Sequence, residues 1–254
     1  MTWRVLAASA VGTSHLATGA ACEDSCLVRV ETGLAKLPLL TIFVSDGAGS
    51  AAHGGTGAEL AVEAAAEFVR KQYAKPFGFD IDGKWATGCI QAVQAKIFAQ
   101  AEQQRTKARD YACTFLGLVG SPINTLLMQI GDGGIVVDVG NGLEMPITPM
   151  MGEYANMTNF VTEEKAMDLL EVVFLRSRAL KAAVFSDGIQ RLALDMTTNT
   201  AHTPFFTPFF SALAKATSVH KDHLQAELER FLQSPAVNER TDDDKTMALA
   251  YWTG

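Results

Sequence analysis

The chain reads as an α+β sandwich of mostly antiparallel strands with helices grouped outside. Three observations carry that expectation. The order of hydrophobic periods is strands, two helices, strands, two helices, strand. Between residues 111 and 148 the strand-like runs are short and separated by tight-turn sequences, Ser121-Pro122, Asp132-Gly133 and Gly140-Asn141-Gly142, which signals antiparallel pairing. Parallel βαβ alternation fits that order poorly. Finally, Leu39 to Val44 is a continuous apolar or β-branched run, the composition of a strand buried on both faces.

Taken in order, residues 3–10 predict a first strand and 11–21, rich in small residues with His15 among them, a loop. Residues 27–31 predict a short strand and 37–45 the doubly buried one. From residue 54 to 74 the period changes. Leu60, Ala61, Ala64, Ala65, Phe68 and Val69 recur at three- and four-residue spacing, an amphipathic helix. A second helix is expected over 85–109, with Ile90, Val93, Ile97 and Phe98 on one face. Strands are expected over 111–119, 124–131, 134–139 and 143–148, with Asp132 in a hairpin turn, then a polar loop over 152–159. A hairpin joins 169–176 to 180–186 through Ser177-Arg178, helices cover 204–217 and 221–233, and 246–252 closes as a strand. No repeat or low-complexity linker interrupts the sequence, so residues 1–254 are expected to form one domain.

Composition narrows the function. With 254 residues, 48% of them hydrophobic, a sizeable core is available. The formal net charge of −7 argues against a general nucleic-acid binder. No apolar stretch reaches membrane-spanning length, the N-terminus lacks a signal-peptide core, and the four cysteines match no paired zinc spacing. A cytoplasmic protein with reduced thiols follows, the pair Cys22 and Cys26 carrying at most a weak redox signal.

The chemistry is concentrated at strand ends. Val44-Ser45-Asp46-Gly47 follows the doubly buried run, Phe185-Ser186-Asp187-Gly188 repeats the design, Ile130-Gly131-Asp132-Gly133 resembles it, and Asp242-Asp243-Asp244 precedes the last strand. One Asp-Gly is ordinarily a turn; several strands each delivering an aspartate point to a shared oxygen-ligand site for a hard divalent cation. Glu23, Asp46, Asp187, Asp243 and the Gly47 carbonyl supply such a set. No P-loop, Gly-x-Ser-x-Gly elbow or His-Glu-x-x-His helix is present.

Cys22-Glu23-Asp24, Val44 to Ser50, Ile130 to Gly133, Phe185 to Gly188 and Asp243-Asp244-Lys245-Thr246, in this order, resemble the metal-dependent serine/threonine protein phosphatases of type 2C, bacterial branch. The resemblance implies two packed antiparallel sheets flanked by helix pairs, an α-β-β-α sandwich. It implies hydrolysis of phosphoserine and phosphothreonine in proteins by a metal-activated water at a binuclear Mn2+ or Mg2+ site. Asp46 would bridge both ions and is the catalytic residue. Gly47 would offer its carbonyl, Asp187 and Asp243 would complete the first ion, and Glu23 would hold the second with Asp24 beside it. Asp110 is weighed equally as a ligand of a third, weaker ion and as a local helix-ending cap.

Two positions depart from the family pattern. Gly19 stands where many members carry a phosphate-binding arginine, leaving His15 or Arg4 as substitutes. Ala48 stands where the animal branch places a histidine, and His53, five residues on, reads as a loop residue. The implied partners are a phosphorylated protein substrate and a cognate kinase, with the phosphatase itself a monomer. The alternatives are a catalytically weak phosphoprotein-sensing module of the same fold and an enzyme acting on small phosphate esters.

Overall fold

The computed structural model describes residues 1–33, 36–75, 81–148, 158–217 and 220–254. In chain order the elements are β1 (Thr2–Ala10), α1 (Thr13–Thr18), β2 (Asp24–Gly33), β3 (Lys36–Asp46), α2 (Gly54–Tyr73), α3 (Gly83–Gln104), β4 (Phe115–Gly120), β5 (Thr125–Ile130), β6 (Gly134–Asp138) and β7 (Leu143–Glu144). Then come β8 (Glu171–Leu175), β9 (Lys181–Phe185), α4 (Gln190–Ala193), β10 (Leu194–Asp195), β11 (Thr200–Ala201), α5 (Thr203–Lys215), α6 (Lys221–Leu232), α7 (Pro235–Asn238) and β12 (Lys245–Thr253). Short 3-10 turns occupy Ala108–Tyr111 and Asp187–Ile189.

Two five-stranded sheets, ordered β1-β12-β9-β6-β7 and β2-β3-β4-β5-β8, are antiparallel throughout. The expected α+β sandwich is therefore what forms. The sequence of β3 shows why. Leu40, Ile42 and Val44 face the space between the sheets, where they meet Leu116, Leu118, Ile135, Val184 and Ala248. Leu39 and Phe43, one step out of phase, face α2 and α3 and meet Ala61, Ala65, Ile90 and Phe115. A strand alternates its side chains between faces, so a run apolar or β-branched at every position calls for a layer on each side. Each such side chain contributes about 1.5–3 kcal/mol by leaving water. On the outer face of the other sheet, Leu6, Phe185 and Leu249 pack against Phe206, Phe210 and Leu228 of α5 and α6.

Several boundaries differ from expectation. The segment expected as a loop over 11–21 contains α1, which is too short to show a period and is ended by Gly19 in the left-handed region at φ 74°. The α3 helix starts on Asp82, whose carboxylate accepts from the Trp85 amide at 2.8 Å. It stops at Gln104, because Arg105 turns left-handed at φ 55°, rather than continuing to 109. The strand expected from 111 begins only at Phe115.

Two expected hairpins are instead corners between sheets. The β5 strand lies in one sheet and β6 in the other, so Gly131-Asp132-Gly133 carries the chain across, with Gly131 at φ 114°. Likewise β8 pairs with β5 while β9 pairs with β12 and β6, so 176–180 is a crossing. Turn-forming residues permit both geometries; which sheet the next strand joins is decided by long-range packing. The polar loop expected over 152–159 lies largely outside the described residues.

Candidate metal centre

The site forms where four strand ends meet. The start of β2 and the end of β3 lie side by side, with Asp24 in register with Asp46. The end of β9 brings Asp187, and the start of β12 brings Asp243 and Asp244 from the facing sheet. A cavity of about 240 Å³ opens there, lined by Asp46, Gly47, Asp132, Asp187, Asp243 and Asp244, with His15, Thr114, Thr158 and Phe160 on its wall.

Hydrogen bonds fix the backbone on which these side chains stand. The Asp46 amide donates to Thr114 Oγ1 at 3.0 Å, and the Thr114 amide donates to the Asp46 carbonyl at 2.8 Å. The Ser45 hydroxyl donates to the Thr114 carbonyl at 2.5 Å. Gly47 donates its amide to the Glu23 carbonyl at 3.1 Å. Glycine is required at 47 by close approach, since a Cβ there would collide with the backbone of Gly54. At Gly188 the obstacle would be the Asp244 carbonyl, so the turn after Asp187 can press against the start of β12.

Asp24 sits beneath the cavity rather than on its wall. It is 8% exposed, and its Oδ2 accepts from the Ser186 hydroxyl at 2.7 Å. Ser186 Oγ in turn accepts from the Thr246 amide at 3.0 Å, tying the two sheets together at the site. Asp244, 3% exposed, accepts from Gly12 N at 2.6 Å, Glu23 N at 2.5 Å and His15 Nδ1 at 3.0 Å. It is thereby committed to holding α1 and the start of β2. Lys245, fully buried, donates to Asn238 Oδ1 at 2.8 Å and to the Val11 carbonyl at 3.3 Å.

The electrostatics of the cluster are unfavourable as it stands. Burial first, then the charges of Asp24 and Asp187, raise Asp46 well above the usual carboxylate range. Burial, together with the charges of Asp132 and Asp243, lifts Asp187 to about 6. Burial pushes Asp24 up to about 7 against the opposing hydrogen bonds of Ser186 and Thr246. Glu23 is raised mainly by burial. The charges of Asp46 and Asp187 oppose each other within this buried cluster, which favours its keeping a proton. Among the described residues, Glu23 Oε2, Asp24 Oδ1 and Asp187 Oδ1 are buried without a hydrogen-bond partner. Buried acceptors are rarely left in that condition.

This donor set fits a hard divalent cation. It is oxygen only and carries excess negative charge, and one of its orphaned acceptors, Asp187 Oδ1, belongs to a residue on the cavity wall. Among the described residues no three His, Cys, Asp or Glu side chains are already closed around a common point. The carboxylates line the walls of an open cavity, and the match is one of chemistry and placement rather than of a finished coordination shell.

Of the residues singled out from sequence, Asp46, Gly47, Asp187, Asp243 and His15 share the cavity. Glu23 and Asp24 are not among its lining residues. Arg4 is not brought there: its Nη1 donates to the carbonyls of Leu213 and Ala214, at 3.0 and 2.6 Å, at the end of α5. It sits on the outer side of β1, where strand alternation places it. Asp110 does not line the cavity either. Its Oδ2 accepts from the Lys107 amide at 3.0 Å within a capping turn. His53 stands at the N-terminus of α2 with its ring 5.0 Å from that of Tyr111.

Sequence reasoning undervalued Asp132 and Asp244. Asp132, taken for a turn residue, reaches the cavity because its loop is a sheet-to-sheet corner. Its Oδ2 accepts from Thr158 Oγ1 at 2.5 Å. Asp244 was legible only as part of a three-aspartate run.

The family model for Protein phosphatase 2C matches residues 11–233, which stops short of Asp243. Serine/threonine-protein phosphatase 3 of Escherichia coli (strain K12) is 53% identical over 253 residues, 99% of each chain. Among solved structures, the catalytic domain of the serine/threonine protein phosphatase PstP in complex with two manganese ions superposes with a TM-score of 0.61 at 19% identity. That match covers 98% of this chain and 97% of that one. The serine/threonine phosphatase Stp1 from Staphylococcus aureus gives 0.63 at 13% identity, over 100% and 96%. At those identities the structures establish a shared fold.

Proposed function

Since the chain belongs to the protein phosphatase 2C family, we propose that it hydrolyses phosphoserine and phosphothreonine in proteins at a centre holding two Mn2+ or Mg2+ ions. The observation that carries this reading is the shared cavity. Asp46, Asp187 and Asp243 come from three strand ends far apart in sequence, and all three line it. Asp46 is the residue best placed to serve both ions, because it ends β3 in register with Asp24 on β2 and lines the cavity together with Asp187 and Asp243. Asp187 and Asp243 would hold one ion and Glu23 the other, with Gly47 offering its carbonyl and Asp24 fixing Ser186 and, through it, the start of β12.

When bound, such ions neutralise phosphate oxygens and lower the pKa of water enough to make it a nucleophile at neutral pH. The protein's own part is placement. The doubly buried β3 strand and its Thr114 bonds hold Asp46 rigidly, which keeps a phosphate ester in line for attack. His15, oriented by Asp244 through Nδ1, is the cavity's own candidate donor to a phosphate oxygen. The capping bond of Asp110 favours its role as a local cap over that of a third-ion ligand.

Among the described residues no helix is long and apolar enough to cross a membrane. The test is phosphate release from a phosphoserine peptide after chelation and after manganese is returned. Release only with the metal supports the reading. Full activity in excess chelator would sink it, and metal-dependent binding of the peptide without release would favour the sensing module.

A further inference from the structure

A second cavity, about 320 Å³, shares Asp187 and Asp243 with the first. Arg191 and Arg240 line it, with Gln190 and Met196. Arg191 belongs to α4, four residues after Asp187, and Arg240 follows α7, three residues before Asp243. Both are exposed. Among the described residues neither is in an ion pair, although the exposed Asp242 lines the same cavity.

Three other arginines are committed. Arg4 spends its donors on the end of α5, Arg178 lies 4.5 Å over the Trp252 ring, and Arg230 pairs with Glu227. Arg191 and Arg240 share this cavity with Asp187, Asp242 and Asp243; once Asp187 and Asp243 are committed to a cation, the two guanidinium groups outweigh Asp242 and leave the rest of the lining positive. A guanidinium presents a planar fork that matches carboxylate and phosphate oxygens two at a time.

We propose that Arg191 and Arg240 form an anion subsite that takes an acidic or second phosphorylated side chain flanking the phosphoresidue of the substrate. This rests on the phosphatase reading for what occupies the neighbouring cavity. The two arginines line the second cavity and not the first, so they meet the flanking group rather than the phosphate under attack. The subsite supplies positive charge to the substrate chain that Gly19 and the displaced Arg4 do not supply. The chain therefore selects acidic or multiply phosphorylated segments.

The test compares the manganese-loaded wild type with R191Q/R240Q and R191K/R240K on four substrates. These are an aryl phosphate and three phosphoserine peptides differing only in their flanks: neutral, glutamate, or a second phosphoserine. Wild type should prefer the two anionic peptides over the neutral one by about tenfold, through KM, and R191Q/R240Q should lose that preference. The lysine pair should recover part of it, since charge is kept and the fork is lost. The aryl phosphate, which has no flanking chain, should be hydrolysed within about twofold of the wild-type rate. The glutamate and phosphoserine arms identify which anion is preferred.

A binding arm avoids turnover. Fluorescence anisotropy of the labelled glutamate-flanked peptide, unphosphorylated, should show about tenfold weaker binding to R191Q/R240Q than to wild type. Equal rates of wild type on neutral and anionic peptides, or an equal loss by the variant on every substrate, would overturn the subsite. If wild type released phosphate from no peptide, the phosphatase reading would fall, and the anisotropy arm would still decide the subsite.

Discussion

The two ends of β9 hold carboxylates of opposite character. At its start Lys181 is in register with Asp138, and the ammonium donates to Asp138 Oδ2 at 2.8 Å. The amides of Gly140 and Gly142 donate to Asp138 Oδ1 at 2.8 and 3.2 Å. Burial pushes this carboxyl's pKa up, but Lys181 and the two amides outweigh it and hold it below the usual range. At the other end Asp187 is raised to about 6, has a buried oxygen without a partner among the described residues, and faces further aspartates. Asp138 is complete within the protein, and Asp187 is not. Satisfied carboxylates build structure; a cluster of unsatisfied ones, held on rigid strands against its own electrostatics, is built for a cation that comes from outside.

The largest effect should separate the ends by activity. Asp46→Asn should lower phosphopeptide turnover by on the order of a thousandfold or more while the fold survives, because the amide cannot carry the charge that two cations require. Asp187→Asn and Asp243→Asn should follow it. Asp138→Asn should leave turnover within about twofold in the same assay and instead lower Tm. It gives up a charge-assisted bond and weakens two amide bonds, about 1–3 kcal/mol together, or several degrees for a chain of this size. Turnover lost at Asp138 and kept at Asp46 would invert the comparison.

Next in size is the effect of pH on stability. The folded pKa values of about 7 for Asp24 and about 6 for Asp187 lie above the unfolded carboxylate value near 4. Such groups contribute stability that is fully present below the unfolded pKa and lost as pH rises through the folded one. In chelator, Tm should therefore fall by several degrees between pH 5 and pH 8. With manganese the fall should shrink or reverse, because ligands must be deprotonated to bind. Asp138 acts oppositely, its contribution being lost only as pH drops below the ordinary carboxylate range. A Tm in chelator that rises steadily to pH 8 would contradict the raised values.

The smallest effect concerns His53. It packs against Tyr111 outside the cavity, so His53→Ala should cost less than about tenfold in kcat, below the hundredfold low end for a general acid.

The acidic end of this contrast was legible in the sequence, while Asp138 and its Lys181 partner were not. The run Leu39 to Val44 announced a strand between two layers, and the aspartates at 46, 187 and 243 announced a shared site, because period and residue type are local properties. What failed was pairing. Gly131-Asp132-Gly133 and Ser177-Arg178 read as hairpins, yet both cross between sheets, since the same turn residues serve either purpose and only the distant partner decides. Asp132 was misjudged for the same reason. The charge of Arg4 suggests a phosphate contact, but its strand face, set by three-dimensional packing, points it to the end of α5. The six residues of α1 are too few to show a period, so the helix that positions His15 was hidden.

The most direct measurement is calorimetric titration of manganese into the metal-free chain at pH 6.5, in two buffers of different ionisation enthalpy. The difference between buffers counts the protons released. If the cluster holds its protons for want of a cation, binding should release about one proton or more, and fewer at pH 8.5, where the raised carboxyls are already ionised. Asp46→Asn should bind more weakly and release less. Binding with no net proton release at either pH, or no binding at all, would contradict the claim that this carboxylate cluster is a metal centre.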